Sequence, residues 1–310
     1  MATIEFSEEQ SMLLETAADF CRTHSPVDAV RKQIDHEHST TPELWQAMAD
    51  LGWLGVTIPE QYGGLGMNLA DAVPIVESMG RHLMGSPFVA TTLAAQALIS
   101  SGSEQQKVHW LAEIAAGAPA SVALTEEDGN WRLQEISATA VATGDALTLS
   151  GTKCFVLDAL QAQVVVASVM LEGAARLIAI HADQIPSGAL AREVVIDETR
   201  RSYTLQLDGI AVPQSQLLDG ADFAGLEQAA MLLLVAEMSG GLAGVLHVII
   251  DYLTTRKQFD QYIGSYQSLK HPSVQILLSL EACRSHLYHA ATVMATGNAD
   301  AAEEAVRMAK

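Results

Sequence analysis

Arg256-Lys257-Gln258-Phe259-Asp260-Gln261-Tyr262-Ile263-Gly264-Ser265-Tyr266-Gln267 joins two long stretches of helical periodicity. The segment sets a cation (Arg256), an aromatic ring (Phe259) and an amide (Gln267) around one turn. A guanidinium offers a permanent, forked positive charge to phosphate oxygens. A phenyl ring offers a flat apolar face, and a glutamine can pair with the edge of a purine. Together these groups suit a large planar ligand with a phosphate bridge. Taken alone, the same residues also read as an ordinary helix hairpin with a capping arginine, so the context must decide.

Working outward, helical spacing runs from Gly225 to about residue 257 and again over 267–296. Gly297-Asn298 separates a last helix that reaches Lys310. Asp219-Gly220-Ala221-Asp222 marks a loop before this helical region. The stretch from Pro119 to about Leu218 differs. Residues 138–143, 146–149, 164–169 and 176–180 are rich in small and β-branched side chains. Thr143-Gly144-Asp145 and Ser150-Gly151-Thr152 punctuate them, which predicts a compact β-domain. Before Pro119 the chain is helical again. Ser7 with Glu8 and Gln10 signals a helix start, and Met12, Leu13, Ala17 and Phe20 follow at helical spacing. Further helices are predicted over 44–51, with Pro42 near the start, and over 69–83, 88–101 and 104–116. Pro59 to Gly66 reads as a flexible turn. The expected fold is mainly α with a central β-domain: helical over 1–118, β over 119–222, and a helical bundle over 223–310.

Composition limits the function classes. The 310 residues are 49% apolar and 17% charged, which describes a globular chain. A net charge of -20 argues against nucleic acid and anionic membrane surfaces as partners. Cys21, Cys154 and Cys283 are far apart and lack CxxC spacing, so neither a disulfide framework nor a zinc site is expected. The N-terminus lacks a signal-peptide pattern, and the apolar run from Ala229 to Met238 is interrupted by Glu237 and short for a membrane span. A cytoplasmic location fits these features. No metal is expected: His36-Glu37-His38 lies in a polar loop, and His286 and His289 lack a third ligand. His247 reads as a packed or surface residue.

Four ordered segments carry a resemblance. Leu54 to Gly66 (LGVTIPEQYGGLG), Ala123-Leu124-Thr125-Glu126, Leu207 to Pro213 (LDGIAVP) and the R-x-x-F-x-x-x-I-x-x-x-Q run from Arg256 to Gln267 resemble the signatures of flavin-dependent acyl-CoA dehydrogenases. The likeness covers nearly the whole chain in the family's order. Gly151 to Ala159 is similar to the divergent bacterial subgroup whose heteromeric pairs act on CoA thioesters of steroid side chains. The resemblance implies FAD as cofactor, an acyl-CoA substrate, a homologous subunit in a homo- or heterotetramer, and an electron-transfer protein as acceptor. The implied activity is α,β-desaturation of an acyl-CoA thioester, in lipid or steroid degradation, and one dependent on a partner subunit. The alternative is a non-catalytic subunit that completes the FAD site of a homologous catalytic partner; a CoA-binding scaffold without flavin is a third reading.

The site residues are also implied by the resemblance. Leu124 and Thr125 match positions that lie along the flavin ring, although the Thr125 hydroxyl can equally bond its own loop. Phe155 stands where the family has a tryptophan packed on the flavin. Leu157 replaces a threonine and cannot donate its bond to the ring. Arg256, Gln258, Phe259 and Gln267 match residues that reach across an interface to a neighbour's FAD. The phosphate loop departs from the family: Glu126, Glu127 and Asp128 place three acids where repulsion of a pyrophosphate is expected unless they point away. The catalytic base is unknown. Ala230 occupies one family position for it, and Glu237 is a candidate two turns later on the same helix. The other family position would lie beyond Lys310, so the bundle is expected to be incomplete and to leave an apolar seam. Arg200-Arg201 could meet CoA phosphates or form a solvated strand end.

Overall fold

In the computed structural model, the structure describes residues 8–310, and side chains from Ser11 onward. The helix-start signal at Ser7 therefore lies outside the described residues. In chain order the helices are α1 (Glu8–His24), α2 (Val27–Ile34), α3 (Pro42–Asp50), α4 (Leu69–Arg81), α5 (Phe88–Ser101), α6 (Glu104–Gln106) and α7 (Ala112–Ala115). The strands follow: β1 (Ala120–Ala123), β2 (Thr139–Thr143), β3 (Ala146–Ser150), β4 (Thr152–Leu157), β5 (Val164–Leu171), β6 (Ala174–His181), β7 (Leu190–Arg192), β8 (Ser202–Gln206) and β9 (Ala211–Pro213). The helices α8 (Phe223–Thr255), α9 (Gln267–Ala295) and α10 (Ala299–Ala309) complete the chain, with a small hairpin of β10 (Lys257–Gln258) and β11 (Gln261–Tyr262) between α8 and α9. The α, then β, then α order is the one expected from the sequence. Residues 104–116, expected as one helix, are interrupted by a π-helical turn at Lys107–Leu111.

The chain divides into two compact units. One comprises Arg31–Asn68 and Gly85–Ala229. Within it, α3 starts where the sequence signals: the Thr41 side chain accepts from the Leu44 N–H, and Pro42 fills the first helical position, where no donor is needed. Trp45 is buried, and its indole N–H donates to the Gly117 carbonyl at 2.7 Å. The turn at 59–66 needs glycine at Gly64, where a Cβ would lie 2.0 Å from the Ile58 carbonyl oxygen.

The strands form two sheets. One runs β1-β5-β2-β3-β9 with β6 also paired to β5; the other runs β4-β8-β7. β1 and β2 pair with β5 in parallel, and the other pairs are antiparallel. Their inner faces share one core that includes Leu147, Leu149, Val156, Val165, Ile178, Leu205 and Val212. Alternating apolar residues on strands of this kind make such a core legible from sequence. The short β7 and β8 were not marked by the small, β-branched pattern used to find the others.

Among the described residues, the second unit comprises residues 8–30, Leu69–Met84 and Ala230–Lys310. Here α4 and the Ala230–Thr255 part of α8 approach at backbone distance. A Cβ on Gly240 would lie 1.9 Å from the Glu77 carbonyl oxygen, and one on Gly80 would lie 2.0 Å from that of Glu237. Close beside this contact, the buried Glu77 carboxylate accepts from Arg284 Nε at 2.7 Å, Tyr288 OH at 2.6 Å and Ser239 OH at 3.2 Å. This network ties α4, α8 and α9 together through one acid. Met238, Leu242, Val245, Val248 and Tyr252 recur along one exposed face of α8. The run 229–238, short for a membrane span by itself, belongs to a 33-residue helix that is long and apolar enough to cross a membrane by length and composition alone. Its bounds lie within two residues of the expected 225–257, and Gly240, Gly241 and Gly244 continue the helix against α4 and do not break it.

Candidate functional site

The first group of candidate residues lies around the end of β1. Leu124 and Thr125 follow that strand, and Thr125 forms an isolated antiparallel bridge with Cys154. The Cys154 N–H donates to the Thr125 carbonyl at 2.9 Å, and the Thr125 hydroxyl donates to the Cys154 carbonyl at 2.6 Å. The hydroxyl proton is therefore used locally, while its lone pairs remain available to accept. Next along β4 the ladder slips between Lys153 and Val156. Phe155 occupies this bulge with φ of +56°, a region that a bulky residue enters at a cost of about 1–3 kcal/mol. The bulge turns the ring outward, leaving it 47% exposed. The Phe155 N–H donates to the Glu193 carboxylate at 3.2 Å, and that carboxylate also accepts from the Ser202 and Thr204 hydroxyls. Leu157 is half-buried at the end of β4, with its carbonyl accepting from Ser121.

The three acids of the following loop do not act together. Glu126 is buried and faces the interior; Glu127 and Asp128 are exposed. The Glu126 carboxylate accepts from Lys153 Nζ at 2.7 Å, from the Ala138 and Ser137 N–H groups, and from the Ser137 hydroxyl. Burial alone would push this carboxyl up, but the hydrogen bonds from Lys153, Ser137 and Ala138 outweigh it and hold it at about 2. Lys153 itself is 0% exposed; burial lowers its pKa against the opposing pull of Glu126. The expected crowding of three acids at a pyrophosphate is thus corrected. One acid is neutralised inside the core, and it staples both ends of the loop 127–136.

The second group stands on the β10–β11 hairpin. Phe259 and Asp260 form its two-residue turn with φ of +51° and +62°. This geometry favours Asn-Gly, so a phenylalanine there is strained. Its ring is 87% exposed at the tip. Arg256 and Gln258 are exposed, and among the described residues no partner engages the Arg256 guanidinium. Gln267 is exposed at the first position of α9. The hairpin is braced from below: Tyr266 OH donates to the Gln258 carbonyl at 3.0 Å, and Lys257 lies over the Tyr262 ring at 4.7 Å. Arg256, Gln258, Phe259 and Gln267 are all exposed, in or beside this hairpin.

Other candidates separate. Ala230 and Glu237 lie on α8 within the helical unit, and Glu237 is half-buried. Arg201 is 1% exposed and donates to the carbonyls of Gln33, Ile34, His36, Glu198 and Arg200, so it is committed to the interior and not to a CoA phosphate. Arg200 pairs with Asp197. Sequence reasoning missed four features: Glu193 under Phe155, the Glu126–Lys153 pair, the Glu77 network, and Trp131. Only Trp131 carried a signal, as a lone aromatic in a polar loop.

Two domain models match the chain: the acyl-CoA dehydrogenase N-terminal domain over residues 7–118 and the acyl-CoA dehydrogenase C-terminal domain over residues 228–310. The chain belongs to the acyl-CoA dehydrogenase family. Its fold is that of the family, a helical N-terminal part, a curled β half-barrel and C-terminal helices. Acyl-CoA dehydrogenase FadE12 of Mycobacterium tuberculosis is 29% identical over 323 residues, covering 98% of this chain and 81% of that protein. The Tcur3481-Tcur3483 steroid ACAD matches with a TM-score of 0.87 and 28% identity, over 98% of this chain and 82% of that one. The ChsE4-ChsE5 complex from Mycobacterium tuberculosis also has a TM-score of 0.87, at 24% identity over 98% of this chain and 83% of that one, a likeness of fold. As an acyl-CoA dehydrogenase family member, this chain is similar to proteins of the bacterial steroid-type subgroup.

Proposed function

We propose that this chain is a subunit of a heteromeric, FAD-dependent acyl-CoA dehydrogenase that desaturates a steroid-type acyl-CoA thioester at the α,β bond. Its contribution is to hold a homologous partner's FAD. The observation that carries this reading is the outward-facing set of Arg256, Gln258, Phe259 and Gln267 on a braced hairpin with a strained aromatic tip. These residues fit the group. The guanidinium matches a pyrophosphate, the ring gives an apolar face, and the amides can pair with a purine edge. FAD, when bound, supplies the hydride acceptor for the oxidation. The residues of this chain bind and orient it. The group around Leu124, Thr125, Phe155 and Leu157 fits a flavin less well in this conformation, because the Phe155 ring is already stacked on by Trp131.

The two relatives whose names describe paired proteins support a heteromer. The exposed apolar face of α8 supports a helical partner surface. Domain boundaries near 118 and 222, a cytoplasmic location and an electron-transfer protein as acceptor belong to the same proposal. A second reading, a catalytic site within this chain with Glu237 as base, rests on the placement of that carboxylate on α8. The test is an artificial-acceptor assay with acyl-CoA, run on this chain alone and coexpressed with a homologous dehydrogenase encoded beside it. The expected result is FAD retention and turnover only in the pair. Robust turnover by this chain alone, abolished by Glu237→Gln with folding intact, would transfer the catalytic role to this chain.

A further inference from the structure

The loop 127–136 is a strap with a defined root and a defined tip. Its root is the single carboxylate of Glu126, which enters the loop and accepts from Ser137 and Ala138 where the chain leaves it. Its span carries a chain of local bonds. The Asn130 N–H donates to Asp128, the Arg132 N–H donates to the Asn130 side chain, and Asn130 and Arg132 both donate to Glu135. Its tip is Trp131, 68% exposed, a costly side chain to leave in water. The Trp131 ring lies over Phe155, with centroids 6.2 Å apart and planes inclined by 23°. Phe155 in turn is turned outward by the bulge and its positive φ. Two independent devices, a strained strand residue and a stapled loop, thus bring two exposed aromatics into an offset, near-parallel contact on one side of the β-domain.

We propose that Trp131 is a self-plug. Its ring covers part of the face of Phe155 that a planar aromatic ligand would take, and it must leave before an isoalloxazine ring stacks there. The inference rests on the reading of Phe155 as a flavin-facing residue, and it deepens that reading. The chain's own flavin half-site is closed by its own indole, while the hairpin half carried by Arg256 and Phe259 stays open to a partner. An aromatic stack is the right strength for a plug that a ligand can displace, since it is modest and carries no charge. The strap returns over Phe155 when the ligand leaves, because the Glu126 staple at its root is buried and stays formed.

The experiment is a titration of the full-length chain with FAD and with riboflavin, which shares the ring but lacks the pyrophosphate. It is followed by flavin fluorescence in wild type, Trp131→Ser, Phe155→Ala and the double variant. Trp131 is exposed, so its replacement leaves the core intact. Removing the stack is expected to tighten binding of both ligands by about two- to tenfold. Phe155→Ala in the Trp131→Ser background should abolish that gain. Acrylamide quenching of tryptophan emission should rise when wild type is saturated with FAD, and should not rise in Trp131→Ser. Weaker or unchanged binding in Trp131→Ser, with Phe155→Ala still weakening it, overturns the plug and leaves Phe155 in the site. Binding that is absent even in Trp131→Ser, or indifferent to Phe155→Ala in every background, overturns both readings.

Discussion

Lys153→Met is the sharpest test of how this β-domain holds the loop 127–136 in place. Lys153 is 0% exposed and donates to Glu126 at 2.7 Å and to Ser168 at 2.9 Å. Methionine fills a similar volume but leaves the Glu126 carboxylate buried without its cation. Breaking a buried pair from one side costs about 3–5 kcal/mol. The wild-type carboxyl, held at about 2 against an ordinary 4.5, corresponds to about 3 kcal/mol of stability, of the same order. The sign follows from the direction of the shift. A carboxyl lowered in the folded state contributes fully above its unfolded value and loses that contribution as pH falls through about 2. In the variant the carboxyl rises and becomes protonated at higher pH, so the gap from wild type should be widest at neutral pH and should narrow toward pH 3. Urea unfolding of both proteins at pH 7 and pH 3 measures this. Adding Glu126→Gln to Lys153→Met should recover part of the loss, because no buried charge remains. A single variant within about 0.5 kcal/mol of wild type at pH 7 would refute the reasoning, since that is the scale of an ordinary surface change. So would strictly additive losses in the double variant.

Other predictions address separate parts of the molecule. Arg256→Ala should lower FAD occupancy of the assembled pair by about 1.5–3 kcal/mol, the scale of a charge-assisted hydrogen bond, and unchanged flavin content would remove Arg256 from the site. Asp158 is buried with one carboxylate oxygen lacking a partner, and burial raises its pKa to about 6 from 3.8. A carboxyl raised in the folded state contributes stability below its unfolded value and loses it as pH rises through about 6. Asp158→Asn should therefore stabilise the protein by up to about 3 kcal/mol at pH 8 and by little at pH 4, and a destabilised variant at pH 8 would contradict this. Gly240→Ala forces a methyl to 1.9 Å from the Glu77 carbonyl oxygen, so a loss of at least about 1–3 kcal/mol is expected by thermal unfolding, with α4 and α8 displaced.

The sequence by itself determined the order of helical and β regions, because the two periodicities differ and short Gly- and Pro-rich segments separate them. It also determined that Arg256, Gln258, Phe259 and Gln267 stand on one short connection between two helices, because these residues are close in sequence. Local chemistry was enough in both cases. What only the tertiary structure decided involves residues far apart in the chain. Glu126 read as one of three repelling acids until Lys153, 27 positions away, was found beside it. Arg201 read as either a phosphate ligand or a solvated strand end until the carbonyls of Gln33, Ile34 and His36 were found around its guanidinium. Glu77 carried no sequence signal, because its partners come from two helices more than 160 positions downstream. Trp131 and Phe155 meet only because a strand bulge turns one ring outward and a buried carboxylate fixes the strap that carries the other. A side chain's charge is written in the sequence. Whether that charge faces water, a ligand or a buried counter-charge depends on which distant segments pack against it, and desolvation then determines its role.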